Sequence, residues 1–373
     1  MAREALLVAV DGGGSRTRLW LLDPEGRLLG RGEGGTSNPT AAGVGAAVRA
    51  IAEAAQKTGL ALEGERLAAD ELAGKPSREA GARPVEAAGP SPDGVWSPGR
   101  VAVVAIGLAG AAREPEASQM RQALAQLFPR AEIRLVHDGV AALLAGTLGA
   151  PGVLLLAGTG SLALAVGPQE EEVRAGGWGY LLGDEGSGYW IGREAIRAAL
   201  RAQDGRGPVT ALTERLCRVA GVARPAELVG PIHRGERDRA WIAGLAQEVV
   251  AAAQEGDPVA QGILDGAAGE LALLVRAVLA RAEFLAGLER VPTVTAGGLF
   301  RLGPGWWARV EAALAREAPR ARLAGRVEEP VLGAAFLALR AYHGQVPQQA
   351  LERLRALQKA AGGGDGSPTG GPG

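Results

Sequence analysis

Several short stretches of this chain hold residue types that chemistry needs, at spacings that chemistry uses. The first is Asp11-Gly12-Gly13-Gly14-Ser15-Arg16-Thr17. Successive glycines let backbone N–H groups turn toward an anion with no Cβ in the way. Ser15 and Thr17 add hydroxyls and Arg16 a cation, while Asp11 offers a carboxylate suited to Mg²⁺ held through water. The same stretch also fits a plain hairpin turn. Gly158-Thr159-Gly160-Ser161 repeats that chemistry further along. Two matching turns are what a nucleoside triphosphate needs if it is gripped from both sides.

His137-Asp138-Gly139 ends an apolar run and opens a helical pattern. Asp138 there fits two compatible roles, a helix cap and a general base that takes a proton from an attacking hydroxyl. The run from Gly176 to Gly188 sets Trp178, Asp184 and Glu185 among many glycines. Paired carboxylates beside an aromatic wall suit a sugar, and a glycine-rich surface loop with a packed Trp178 fits equally well. Thr36-Ser37-Asn38 is either a further polar arm for the same ligand or a turn before the next helix.

These residues need a scaffold, and the apolar patterning predicts an α/β one. Strands are expected at 5–10, 17–22 and from 27, separated by the glycine turn and by Asp23-Pro24-Glu25-Gly26. That is an antiparallel meander opening a sheet. A helix is expected at 40–58, buried strands at 101–106 and 132–136, and helices at 116–128 and 139–148. A second meander starts at 153–157 and 162–166. The chain then reads as mainly helical from 188 to 288, with a strand at 293–296 meeting Gly297-Gly298. Two strand–turn–strand units suggest a pseudo-duplication whose halves face each other across a cleft. Residues 60–100 read as a mobile surface insertion, and 362–373 as a tail too polar to fold.

Composition excludes several alternatives. A formal charge of −1 is not that of a general polyanion binder, so no nucleic-acid partner is expected. Cys217 is the only cysteine, which rules out an intrachain disulfide framework and a cysteine-held cluster within one chain. The start of the chain lacks the pattern of a signal peptide, and no apolar run approaches a membrane span. The expected location is the cytoplasm. Gly74-Lys75 is followed by Pro76, so there is no Walker P-loop, nor is there a dinucleotide fingerprint or a nucleophile elbow. His137, His233 and His343 lie too far apart for a metal site, and His137 is placed only to tune Asp138.

The motifs in order resemble the N-acetylglucosamine kinase branch of the BadF/BadG/BcrA/BcrD ATPase family, within the actin, hsp70 and hexokinase superfamily. The resemblance rests on DGGGSRT at Asp11–Thr17, GTSNP at Gly35–Pro39, GLAG at Gly107–Gly110 and HDG at His137–Gly139. It continues through AGTGS at Ala157–Ser161, GGWGYLLGDEGSGYWIG at Gly176–Gly192 and TAGGLF at Thr295–Phe300. It implies an α/β fold of two actin-like (ribonuclease H-like) lobes, each a mixed sheet flanked by helices, with an interlobe cleft. The lobes are expected at 1–136 and 137–344, with a helix at 345–361 packing back on the first.

The resemblance also implies ATP-dependent phosphorylation of an amino sugar, most specifically N-acetylglucosamine at its 6-hydroxyl, with ATP and Mg²⁺ as cofactors. Asp138 is then the catalytic base. Asp11, Gly13, Gly14, Ser15, Arg16, Thr17, Gly158, Thr159, Gly160 and Ser161 hold the ATP phosphates, with Asp11 holding Mg²⁺ through water. Gly297 and Gly298 hold the adenosine. Ser37, Asn38, Gly107, Thr159, Gly177, Trp178 and Asp184, with Asp138, line the sugar pocket. Relatives imply a homodimer. Arg16 departs from the family's usual lysine; it keeps the charge with a different reach. Glucosamine or a broader range of hexoses is the nearest alternative acceptor, and an ATPase activator with no sugar acceptor is the alternative of another class. The activators bridge an iron–sulfur cluster with cysteines, for which the lone Cys217 is no match.

Overall fold

A nearly unbroken apolar strand can be stable only where both of its faces are covered, and β1 (Leu6–Gly12) is such a strand. The computed structural model describes residues 5–62, 96–109 and 114–362. In it β1, β2 (Thr17–Leu22) and β3 (Leu28–Gly34) form the expected antiparallel meander. β4 (Val101–Leu108) and β5 (Glu132–His137) then add in parallel, giving the order β3-β2-β1-β4-β5. One face is covered by α2 (Val44–Gln56), which follows the short α1 (Pro39–Ala42), and by α3 (Glu116–Leu127). Leu6, Val8 and Val10 of β1 share that core with Ile51, Met120, Leu124 and Phe128. On this sheet's last strand stands α4 (Asp138–Thr147), which begins where β5 ends.

The second sheet repeats the plan. β6 (Val153–Ala157), β7 (Ser161–Val166) and β8 (Glu172–Gly176) are an antiparallel meander, and β9 (Val291–Ala296) and β10 (Ala321–Arg326) add in parallel. Its order, β8-β7-β6-β9-β10, is that of the first sheet, so the two sheets bear out the pseudo-duplication. Between β8 and β9 lie α5 (Gly188–Gln203), α6 (Leu212–Ala220), α7 (Val229–His233), α8 (Arg239–Gly244), α9 (Ala246–Gln254) and α10 (Pro258–Arg281). α11 (Pro304–Glu317) precedes β10. Leu264, Leu271 and Val275 of α10 bury against Val153, Leu155 and Ala163 of the sheet. Among the described residues no helix is long and apolar enough to cross a membrane.

The chain closes with α12 (Val331–His343) and α13 (Gln348–Gly362), which return to the first sheet. His343 Nε2 meets Pro24 O at 2.8 Å, and Gln358 Nε2 donates to Ala145 O at 2.6 Å. The described residues accordingly divide into one unit from Met1–Ala150 with Val327–Gly373 and another from Pro151–Arg326. The first boundary falls after α4 rather than before it, and α12 joins the first unit. Strand and helix patterns are local and do not reveal which sheet a helix covers.

Other differences have local causes. β8 and β10 were not foreseen, because their charged residues mask the alternation; both are edge strands, where charge discourages further pairing. The helix expected at 40–58 breaks at Gly43, whose φ of 81° ends α1. The ends of the segment read as an insertion are pinned: Ala61 N donates to Trp96 O at 2.8 Å and Trp96 N to Gly59 O at 2.7 Å. The insertion proper at 63–95, the tail at 363–373 and Gly110 lie outside the described residues.

The first unit depends on a close approach of α12 to α4. A Cβ at Gly333 would lie 1.8 Å from Ala141 O, a distance no rotamer change relieves. Gly333→Ala should therefore cost about 2–3 kcal/mol of stability, read as a lower urea midpoint with an unchanged slope.

Candidate active site

In the first unit the polar residues gather where β1, β4 and β5 end. Asp11 is paired in register with Arg18 across the hairpin and with Gly107 of β4. Burial raises the Asp11 carboxyl to about 6; Arg18 draws it down, and Asp138 and Glu329 push it up. Arg18 does not serve Asp11 alone, because its Nη1 lies 3.3 Å from Glu329 Oε2. Gly13 N donates to Arg16 O at 3.0 Å, which closes the turn and leaves Gly14, Ser15 and Arg16 exposed at its tip. A half-buried, under-compensated carboxylate beside exposed backbone donors fits Mg²⁺ and phosphate together.

Two expected ligands are placed differently. Thr17 and Ser37 are fully buried; Thr17 Oγ1 donates to Gly35 O at 2.7 Å and shares a 2.7 Å bond with Ser37 Oγ. Their hydroxyls tie β2 to the loop before α1 and are not presented to a ligand. Thr36 Oγ1 and Ser37 N both donate to Gly13 O, at 3.2 and 3.3 Å, so this loop braces the glycine turn. Asn38 caps α1 through Oδ1, accepting from Thr40 N at 3.0 Å and Ala41 N at 3.3 Å. The cap fixes which end of the Asn38 amide is engaged, leaving its NH₂ group for other use.

Asp138 is the first residue of α4, and its side chain is 32% exposed. Gly139 N donates to Asp138 Oδ1 at 2.9 Å and to His137 Nδ1 at 3.0 Å, and those two acceptor atoms are themselves 3.0 Å apart. The N-cap of α4 is His137, so the cap expected of Asp138 falls to its neighbour; Asp138 is the first helical residue and is partly open to solvent. Gly107 serves by lacking a side chain, since its Cβ would lie 2.4 Å from Ala141 Cβ and 3.7 Å from Asp138 Cα.

In the second unit the turn at 158–161 and the loop at 176–188 are one structure. Gly158 N donates to Gly160 O at 2.9 Å, Gly177 N to Ser161 O at 2.9 Å and Gly188 N to Gly158 O at 2.8 Å. Ser161 is buried and its Oγ donates to Glu185 O at 2.6 Å, so this expected phosphate ligand holds the loop instead. Asp184 is 5% exposed with φ of 59°. Its Oδ1 accepts from Ser161 N at 3.2 Å, and a Cβ at Gly160 would stand 2.9 Å from both its oxygens. Burial raises the Asp184 carboxyl, against the pull of the Ser161 N–H and Arg239.

Trp178, by contrast, is 66% exposed, with the Arg174 guanidinium 5.3 Å from its ring. An exposed tryptophan on a well-bonded loop is a ready stacking face. Gly297 and Gly298 follow β9 beside Gly158: a Cβ on Gly158 would lie 3.6 Å from Gly298 N. The structure thus joins Gly158, Gly160, Gly177, Asp184, Gly297 and Gly298 in one neighbourhood, and Asp11, Gly13, Asn38, Gly107 and Asp138 in another. Arg18 and Glu329 were missed. Arg18 could have been found from its register opposite Asp11; Glu329 comes from the far end of the chain and left no signal.

Two sheets of one strand order, each with a glycine turn after the meander's first strand, define the actin-like α/β class. The chain belongs to the BadF/BadG/BcrA/BcrD ATPase family, which it matches over residues 8–338. It is similar to the N-acetylmuramic acid/N-acetylglucosamine kinase of Clostridium acetobutylicum, at 36% identity over 197 residues. That match covers 52% of this chain and 63% of the relative, less than two thirds of its length. It is also similar to the N-acetyl-D-glucosamine kinase of Dictyostelium discoideum, 27% identical over 343 residues, 91% of this chain and 99% of the relative. Among solved structures, a candidate N-acetylglucosamine kinase from Chromobacterium violaceum superposes with a TM-score of 0.61 at 27% identity. That superposition covers 90% of this chain and 99% of the other.

The raised Asp11 carboxyl has a consequence for stability. It holds its proton up to about 6 in the folded chain and to 3.8 when unfolded. Between those values the folded chain binds more protons, so this group stabilises the fold as pH falls from about 6 toward about 4. Without Mg²⁺ or nucleotide, Asp11→Asn should raise the thermal midpoint at pH 7.5, by about 3 kcal/mol in stability. At pH 4.5 the gain should fall to about a third of that, as a pair of calorimetric scans would show.

Proposed function

We propose that this protein is an ATP-dependent kinase of amino sugars that transfers the γ-phosphoryl group of ATP to the 6-hydroxyl of N-acetylglucosamine. The relatives that span nearly all of the chain support the reaction class. The observation that carries the reading at the level of chemistry is Asp138. It stands at a strand end beside a glycine turn, open to solvent, with no arginine or lysine in ion-pair contact among the described residues. A carboxylate in that state is free to act as a base.

In this mechanism the acceptor's hydroxyl proton passes to Asp138 as its oxygen bonds to the γ-phosphorus. The bond from that phosphorus to the bridging oxygen breaks, and ADP leaves. Backbone N–H groups of Gly13–Arg16 and of Gly158–Gly160 bind the phosphates, and Arg16 adds charge. Gly297 and Gly298 adjoin the adenosine. Asn38, Trp178, Gly177 and Asp184 hold the sugar, Trp178 against its apolar face and Asp184 at its hydroxyls. Asp11 would hold Mg²⁺, which would supply charge neutralisation for the phosphates.

ADP release should be followed from Mg·ATP with N-acetylglucosamine, N-acetylmuramic acid, glucosamine, glucose, N-acetylmannosamine or no sugar. Stimulation chiefly by N-acetylglucosamine supports the proposal, and equal stimulation by several sugars makes the protein a broad hexose kinase. Release that ignores every sugar overturns the kinase reading in favour of an ATPase activator. Asp138→Asn should lower kcat by about 10²–10⁴-fold while calorimetric ATP binding stays near that of the natural protein.

A further inference from the structure

The same contacts raise a question that a general base alone does not answer: which oxygen of Asp138 acts, and what holds it. His137 is the last residue of β5, paired in register with Leu108 of β4, so its backbone is set by the sheet. Asp138 opens α4, whose seat is set by the bare backbone of Gly107 against Ala141. Both backbones are therefore fixed before either side chain is placed. The side chains then close a triangle. Gly139 N–H is shared by His137 Nδ1 at 3.0 Å and Asp138 Oδ1 at 2.9 Å, with 3.0 Å between the two acceptors.

Helix capping by itself does not call for this arrangement. Ser, Thr, Asp and Asn are the favoured caps, and histidine is not among them. The Gly139 N–H already has an acceptor in Asp138 Oδ1. What the imidazole adds is a rigid ring against one carboxylate oxygen. With its proton on Nδ1 it donates to Oδ1; without it, the ring and Oδ1 share the Gly139 N–H. In either state the bonds engage Oδ1 and none of them engages Oδ2.

We infer that His137 is a positioning residue: with the Gly139 N–H it anchors Asp138 Oδ1, so that Oδ2 is the oxygen presented to the acceptor's hydroxyl. The inference rests on Asp138 being the base. Proton transfer is steep in distance and angle, and a misplacement of about 1 Å costs roughly 100-fold in rate. A carboxylate free to rotate about its Cβ–Cγ bond spends much of its time with neither oxygen aimed correctly. His137 removes that freedom without neutralising the base, as a lysine or arginine would.

The test is a series at position 137 assayed at saturating ATP and sugar. His137→Ala should lower kcat roughly 10- to 100-fold, with KM for ATP within twofold of the natural protein. His137→Asn, whose amide can both accept from Gly139 N–H and donate to Oδ1, should recover most of the rate. His137→Leu should not, at a thermal midpoint matched to that of the Asn variant. If His137→Ala is too unstable to assay, the Asn and Leu pair decides alone. A kcat for His137→Ala or His137→Leu within twofold of the natural protein, with Asp138→Asn still inactive, would falsify the positioning role and leave His137 a helix cap. Full turnover by Asp138→Asn would instead remove the base on which the inference rests.

Discussion

Ala141 has a side chain of one carbon, and the first unit is built around the space it occupies. Gly107 on β4 meets its Cβ, and Gly333 on α12 meets its carbonyl oxygen; a methyl at either glycine would fall within 2.4 Å of Ala141. α4 is thereby pressed between a strand and a helix that are remote from each other in sequence. The interior of a protein is close-packed, so such a contact transmits position rather than absorbing it. The start of α4 cannot drift, and Asp138 is that start. The HDG motif thus depends for its geometry on Gly107 of the GLAG motif and on Gly333 of α12.

Charge is arranged against local stability in both units. Asp138 and Glu329 both push the Asp11 carboxyl up, with Arg18 ion-paired to Glu329 and shared with Asp11. In the second unit Asp184 is buried at a positive φ and braced by Ser161 N–H against Gly160. A buried carboxylate without a dedicated cation is costly in a resting protein, and it is where ligand charge or hydroxyl donors bring most benefit. A carboxyl raised by burial at a strand end, as that of Asp11 is, is the expected mark of a functional site. The glycine turns beside them keep the approach open.

Much of this was legible. β1, β2, β4, β6 and β9 are apolar runs whose burial shows in composition alone, and the matching turns at Gly12–Gly14 and Gly158–Gly160 disclosed the repeat. β8 and β10 were hidden because edge strands carry the charges that also mark loops. Thr17, Ser37 and Ser161 were read as ligands since a hydroxyl beside a glycine turn looks the same whether it faces a phosphate or the interior. Only their buried bonds to Gly35, to each other and to Glu185 tell the two apart.

The sequence by itself determined the meanders, the glycine turns, the junction of β5 with α4 and the set of motifs that place the chain in its family. These rest on backbone freedom and on the spacing of apolar residues, which are properties of neighbours along the chain. The tertiary structure alone decided that α12 joins the first unit, that Glu329 reaches Arg18, and that His137 and Gly139 meet one oxygen of Asp138. Those outcomes depend on contacts of 2.9 to 3.3 Å between groups brought together by packing, and the order of residues does not encode such distances in readable form.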